Sequence, residues 1–263
     1  MDQLQYDNDD ITLVTAYYRI KSKHEPEDYL KWINNIVMLN KSMVFFSNDE
    51  FIQTLKKMRP KEYHKKTVFI KLEMEEFYSY KNFYKDFNKT YYIDPEYSYH
   101  TVPLYLIWAE KCMFLKRVIY HNYFNSKCFY WVDIGYFREG QDSMQKFINH
   151  WPTTKKCFED NRFLIGQIRN FSKSYKEKIL NFDIEAHHKL QLDFNVCGNI
   201  FGGQIENTLK FADYYYKAVR LFIKNKIFIG KDQNIFAYVC FAHPEIVKIF
   251  FCNDWFDFQS YLA

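Results

Sequence analysis

Ile11-Thr12-Leu13-Val14-Thr15-Ala16-Tyr17-Tyr18 is a β-rich run that follows a polar stretch, and it reads as a buried central strand. A helix is expected next, with Glu27 and Asp28 in its first turn and an apolar stripe at Tyr29, Ile33, Ile36 and Val37. Residues 42–47 give a second strand closed by the turn-forming Asn48-Asp49. Residues 51–58 form a short helix that ends at Arg59-Pro60, and residues 67–72 a third strand. Strand, helix, strand, helix, strand is the order of a parallel sheet wound with helices. Ligands of such sheets bind beyond the carboxyl ends of the strands, here the loops after residues 16, 47 and 72.

Further along, residues 75–100 are crowded with Tyr, Phe, Lys and Asn without a clear period, and read as an irregular insertion with some helix. Residues 104–120 keep helical spacing through Leu104, Ile107, Trp108, Cys112, Leu115 and Val118, with Lys111 inside the helix. Residues 128–135 are a strand, apolar on both faces, that stops at an acid and a glycine. Strands are also expected within 161–169 and over 194–201, the latter before Gly202-Gly203. A long amphipathic helix follows over about 205–225, and Gly230 breaks the chain before Lys231-Asp232-Gln233. With no repeat and no Gly/Ser/Pro linker, residues 11–263 are expected to form one domain behind a polar tail, residues 1–10.

Hydrophobic residues make up 48% of the 263 and aromatics 21%, which excludes a disordered chain. The 36 basic and 32 acidic residues leave only +4, too little to mark a nucleic-acid surface. The densest basic run, Lys56 to Lys66, reads as a solvated helix end and loop. Six cysteines at 112, 128, 157, 197, 240 and 252 show no CxxC pair and no zinc spacing, so they read as small core residues in a reducing compartment. The acidic start of the sequence is unlike a secretory signal and no apolar run approaches membrane-spanning length, so a cytoplasmic protein without a transmembrane segment is expected.

Asp133 is the leading candidate for chemistry, because a carboxylate at the end of a buried strand projects into the ligand crevice of an α/β protein. It can hold a divalent cation that bridges two phosphates, or it can simply cap a turn with Ile134-Gly135. Serine hydrolase, P-loop, zincin and dinucleotide-binding motifs are absent from the sequence.

The ordered blocks 11–17, 29–32 (Tyr-Leu-Lys-Trp), 43–46 (Met-Val-Phe-Phe), 107–111 (Ile-Trp-Ala-Glu-Lys) and 129–138 (Phe-Tyr-Trp-Val-Asp-Ile-Gly-Tyr-Phe-Arg) resemble the HtrL/YibB family. The resemblance continues through Phe201-Gly202-Gly203 and Lys231-Asp232-Gln233, covering roughly residues 10–245. That family is similar to GT-A glycosyltransferases. The resemblance implies an α/β fold with a mixed, mostly parallel sheet, helices on both faces, a Rossmann-like N-terminal half, and common use of Mn²⁺ or Mg²⁺. It implies that Thr15, Ala16 and Tyr17 meet the nucleotide base and ribose, with Asp49 near the base. Asp133 falls on the DxD metal motif, but the third position is Gly135, so a metal-independent route stays open in which Lys111 and Arg138 neutralise the diphosphate.

Gly202-Gly203 permits close backbone approach and suits an acceptor or a plain tight turn. Asp232-Gln233 resembles an acceptor-side DQ pair, with Asp232 orienting the acceptor hydroxyl or acting as its general base, or else capping the next helix. His243 is a candidate metal ligand beside Asp133. His187-His188, read in a strand, would point to opposite faces and is left out of any shared site. The expectation is a glycosyltransferase that moves a sugar from a nucleotide-sugar donor to a glycan or other hydroxyl acceptor. The alternatives are a metal-dependent phosphoryl or nucleotidyl transferase, and a non-catalytic glycan-binding protein on the same fold.

Overall fold

The computed structural model describes residues 10–192 and 195–263; nearly all of the expected polar tail, and Phe194 of the expected strand, lie outside them. The first half of the chain alternates β1 (Ile11–Tyr17), α1 (Pro26–Ile36), β2 (Ser42–Ser47), α2 (Asp49–Met58) and β3 (Thr67–Lys71). Helices α3 (Tyr78–Thr90) and α4 (Val102–His121) then lead to β4 (Cys128–Val132). Short helices α5 (Gln141–Ile148) and α6 (Thr154–Cys157) precede β5 (Phe163–Gln167), and α7 (Lys173–Leu180) and α8 (Ile184–Leu192) precede β6 (Val196–Gln204). The chain ends with α9 (Ile205–Lys224), α10 (Asp232–Ala242), β7 (Val247–Phe251) and α11 (Asp257–Tyr261).

All seven strands join one sheet in the order β3-β2-β1-β4-β6-β5-β7. Strands β3, β2, β1 and β4 are mutually parallel, β6 runs antiparallel to both β4 and β5, and β7 is parallel to β5. The expected mixed, mostly parallel sheet with a Rossmann-like N-terminal half is what the chain forms. Every residue of β1 is buried, as a parallel strand covered on both faces requires. Ile11, Leu13 and Tyr17 face a core built with α1, α2, α5 and α11, while Val14 and Ala16 face a second core built with α3, α4, α9 and α10.

The segment over 75–100 is more regular than its sequence suggests, since it contains the 13-residue helix α3. Its start is fixed from a distance: the Glu110 carboxylate on α4 accepts the backbone N–H groups of Tyr78 and Ser79 at 3.0 and 2.8 Å. No local cap marks that boundary. In the basic run Arg59 is buried, not solvated. Its guanidinium donates to the carbonyls of Val37, Leu39 and Lys41 and so closes the α1–β2 connection. Burial lowers its pKa to about 10, which leaves it charged at neutral pH.

Gly202 and Gly203 lie within β6, paired with Tyr130 and Phe129. A Cβ on Gly202 would stand 2.1 Å from the Phe129 carbonyl oxygen, so the two strands can approach only over glycine. Gly202→Ala should destabilise the protein by about 3 kcal/mol or more, whereas Gly140→Ala, with open space around it, should stay within about 0.5 kcal/mol; urea denaturation of both reads the contrast.

Burial also raises the Glu110 carboxyl to about 7 despite its two backbone donors. A carboxyl raised on folding binds its proton more tightly in the native state, so its effect on stability is neutral below its unfolded value and grows unfavourable as pH rises to about 7. Glu110→Gln should therefore flatten the fall in stability between about pH 4.5 and 7, by up to about 3 kcal/mol, in denaturation followed against pH.

Candidate active site

Strand β1 hands the chain to β2 on one side, while β4 lies on its other side, so the carboxyl ends of β1 and β4 flank the point where the strand order reverses. Open sheets bind ligands in that crevice. Here it is a cavity of about 380 Å³, within the range of small-molecule sites, with Ala16, Tyr17 and Tyr18 on the β1 side and Asp133 to Tyr136 on the β4 side. Trp108, Trp131, Trp255 and Phe256, together with Leu104 and Ile107, give the remaining walls their aromatic and aliphatic surface.

Asp133 serves both the turn and the cavity. Its N–H donates to Asn199 at 2.7 Å and its carbonyl accepts from the Tyr136 N–H at 2.9 Å, while its side chain stays 35% exposed. One carboxylate oxygen, Oδ1, accepts the Trp131 indole N–H at 2.6 Å and lies 3.0 Å from the Lys111 ammonium. Lys111 projects from α4 with its side chain only 3% exposed. Its Nζ donates to the Gly198 carbonyl at 2.7 Å and lies 3.0 Å from Asp232 Oδ2. The ammonium thus donates to one carbonyl and stands at ion-pair distance from two carboxylate oxygens. Burial pulls the Lys111 pKa down, but Asp133 and Asp232 outweigh it and hold the group above its ordinary value.

Asp232 is the first residue of α10, whose N-cap is Lys231, and Oδ1 accepts the N–H of Gln233 at 2.8 Å. It is 3% exposed and lies outside the cavity wall, beneath Lys111; burial pushes its carboxyl up and Lys111 draws it back. The acceptor-side role expected of it does not match this placement. Gln233, its neighbour, does reach the cavity. Gly198 makes room for the pair, since a Cβ there would come within 3.0 Å of Asp232 Oδ2.

Arg138 is exposed at the rim, its guanidinium 4.1 Å from the Trp32 ring centre and 5.5 Å from that of Phe256, with Nε donating to the Gly135 carbonyl. A Cβ at Gly135 would stand 2.8 Å from the Trp32 ring, which would have to shift to admit it. The structure therefore gathers Ala16, Tyr17, Lys111, Asp133, Gly135, Arg138 and Gln233 at one cavity.

Other expected residues are elsewhere. Thr15 is fully buried under the strand end and Asp49 is exposed at the start of α2, where it pairs with Lys71. Gly202 and Gly203 fall toward the opposite end of β4, because β6 runs against it and brings its own beginning, Gly198 and Asn199, to the site. His243 follows the last residue of α10, ~16 Å along the helix from Asp232, and stacks on Tyr214. It is not a partner of Asp133. His187 and His188 lie on helix α8, not a strand, and His187 is bonded to the Ile179 carbonyl. The residues missed by sequence reasoning are Asn199, whose amide donates to the Trp255 carbonyl at 2.7 Å, and the Trp255-Phe256 wall.

The divalent ion that the resemblance implies would need several hard oxygen ligands. Among the described residues no group of three or more His, Cys, Asp and Glu is placed to hold a metal. Asp133 offers one oxygen to the cavity, and the other carboxylate stands behind an ammonium. These side chains do not fit a resident divalent cation.

A family model described as a bacterial protein of unknown function, HtrL_YibB, matches residues 9–263. The chain belongs to the HtrL/YibB family. Comparison with curated proteins finds no match. Among solved structures, this HtrL/YibB chain is similar to core-mannan synthase A of Aspergillus fumigatus in its Mn/GDP form, with a TM-score of 0.54 and 12% identity over 95% of this chain and 74% of that one. The likeness is one of fold, and the fold is glycosyltransferase-like, of the GT-A type. No helix among the described residues is long and apolar enough to cross a membrane.

Asp232 is the buried partner of Lys111, and removing it leaves the ammonium only the partly solvated Asp133 and the Gly198 carbonyl. Asp232→Ala should cost about 3–5 kcal/mol and Asp133→Ala distinctly less, because Asp133 is partly solvated; equal losses in urea denaturation would contradict the assignment.

Proposed function

We propose that this chain is a glycosyltransferase that binds a nucleotide-sugar in the cavity between β1 and β4. The observation that carries the reading is the convergence of Lys111, Arg138 and Asp133 on an aromatic-walled cavity at the reversal of strand order. Tyr17 and Tyr29, with ring centres 5.6 Å apart, supply flat apolar surface suited to a base and ribose. Lys111 and Arg138 are the cationic groups suited to the diphosphate, Arg138 through its planar fork and Lys111 as a fixed charge. Charges already in place when the sugar–phosphate bond breaks favour the departing diphosphate without reorganisation.

The open oxygen of Asp133 is an acceptor for a hydroxyl of the donor. A hydroxyl-bearing acceptor, such as a glycan, has its approach beside Gln233, Asn199 and Trp255, a different edge from the glycine pair singled out in the sequence. Asp232 acts through Lys111 and does not touch substrate in this reading.

Thermal unfolding measured against a panel of nucleoside diphosphates and nucleotide-sugars tests it. A selective rise in Tm is expected for one nucleotide family, equivalent to ~2.7 kcal/mol at ligand 100-fold above Kd. Arg138→Ala should weaken that ligand about tenfold or more while leaving the unliganded Tm nearly unchanged. A protein indifferent to every nucleotide but stabilised by oligosaccharides would be a glycan-binding module instead, and release of a nucleotidyl or phosphoryl product would replace glycosyl transfer with the other enzyme class.

A further inference from the structure

The similar mannan synthase is a Mn/GDP form, whereas this chain places an ammonium 3.0 Å from each of the two carboxylates nearest the cavity. Resting on the reading of the cavity as a nucleoside-diphosphate site, we infer that Lys111 is the permanent cation of the site and that nucleotide binding needs no divalent metal.

The position of Nζ is fixed by more than the carboxylates. The Gly198 carbonyl accepts from it at 2.7 Å, and Gly198 has no Cβ to push Asp232 away. The Trp131 indole N–H holds the same oxygen of Asp133 that faces Lys111, and the indole ring itself lies 5.8 Å from Nζ. An ammonium so held has nowhere to go. Rotating it out to admit a metal ion would abandon the hydrogen bond to the Gly198 carbonyl and the ion pairs with two carboxylates, and would force a charge through apolar wall.

Lys111 and Arg138 set two positive charges against the two negative charges of Asp133 and Asp232. Asp232 balances Lys111 in the interior, Asp133 shares the same ammonium from the cavity side, and Arg138 stands at the rim between Trp32 and Phe256. Lys111 and Arg138 together face a diphosphate from two directions. Both are wall residues of the one cavity.

Two measurements on the full chain test this. In the first, GDP and UDP are titrated calorimetrically into protein stripped with EDTA and into protein with excess Mn²⁺. The Kd of the nucleotide that binds should agree within about twofold between the two buffers, and a loss of about tenfold or more in EDTA overturns the inference while leaving the proposed function standing. If these two and every other nucleoside diphosphate of the panel fail to bind in either buffer, the reading of the cavity fails.

In the second, nucleotide is left out and Mn²⁺ is followed by electron paramagnetic resonance. Wild type should leave the free-ion spectrum intact, whereas Lys111→Ala, which leaves two carboxylates facing an empty space, should bind Mn²⁺ and gain Tm from it. Stoichiometric Mn²⁺ binding by wild type, or a folded Lys111→Ala protein that ignores the ion, overturns the assignment of Lys111. Should that variant fail to fold, the wild-type spectrum decides alone.

Discussion

The ammonium of Lys111 joins four elements that are far apart in the chain. It extends from α4, meets the turn after β4 at Asp133, the start of β6 at Gly198, and the first residue of α10 at Asp232. Each of these is where a backbone element begins or ends, so the ion cluster sets the relative height of a helix, two strands and a second helix. A buried pair of this kind is a weak source of net stability, because desolvation consumes most of the Coulomb attraction. What it does supply is position. Once one partner is buried, the others must be present and correctly placed.

The antiparallel strand is the second constraint on the site. If β6 ran with its neighbours, its residues 196–199 would lie at the amino end of β4 and the Gly202-Gly203 end would border the cavity. Because it runs against β4, Ile200 pairs with Val132 and the chain just before it, Gly198-Asn199, comes level with Asp133. The close approach allowed by the glycine pair then serves sheet packing, deep between β4 and β5, and the close approach allowed by Gly198 serves the ion cluster. The same register lets Asn199 reach the C-terminal segment, whose Trp255 and Phe256 complete the wall.

Much of this architecture can be read from local sequence, because strands buried on both faces show as unbroken apolar runs and the helices between them keep a 3.6-residue stripe. The stretch ending in Val132-Asp133 and the lysine inside 104–120 stand out for that reason, and both belong to the site. What escapes local reading depends on direction and distance. The strand direction of β6 leaves no mark in 196–204, so the wrong glycines draw attention. His243, expected beside Asp133, follows the far end of the 11-residue helix that Asp232 begins. Asp49 and Thr15 follow or end strands as ligand-binding residues do, yet one turns to Lys71 and solvent while the other points into the core. The cap of α3 by Glu110 is a contact across 31 and 32 residues that no motif announces.

The aromatic surroundings give the cationic cluster its reach. In water, charges more than a Debye length of about 8 Å apart scarcely feel one another at physiological salt, but a charge set in a dry wall is screened far less. Trp131 keeps the buried Lys111 next to low-dielectric surface, whereas Arg138, stacked between Trp32 and Phe256, stands exposed at the rim of the open cavity. A hydrophobic residue in place of Lys111 could pack the same interior at similar stability, and the cavity would then present Asp133 with no buried cation to oppose it. The chain instead buries a lysine and an aspartate together. That choice adds little to folding, but it fixes an ammonium in the cavity wall beside Asp133, with Asp232 balancing its charge from the interior.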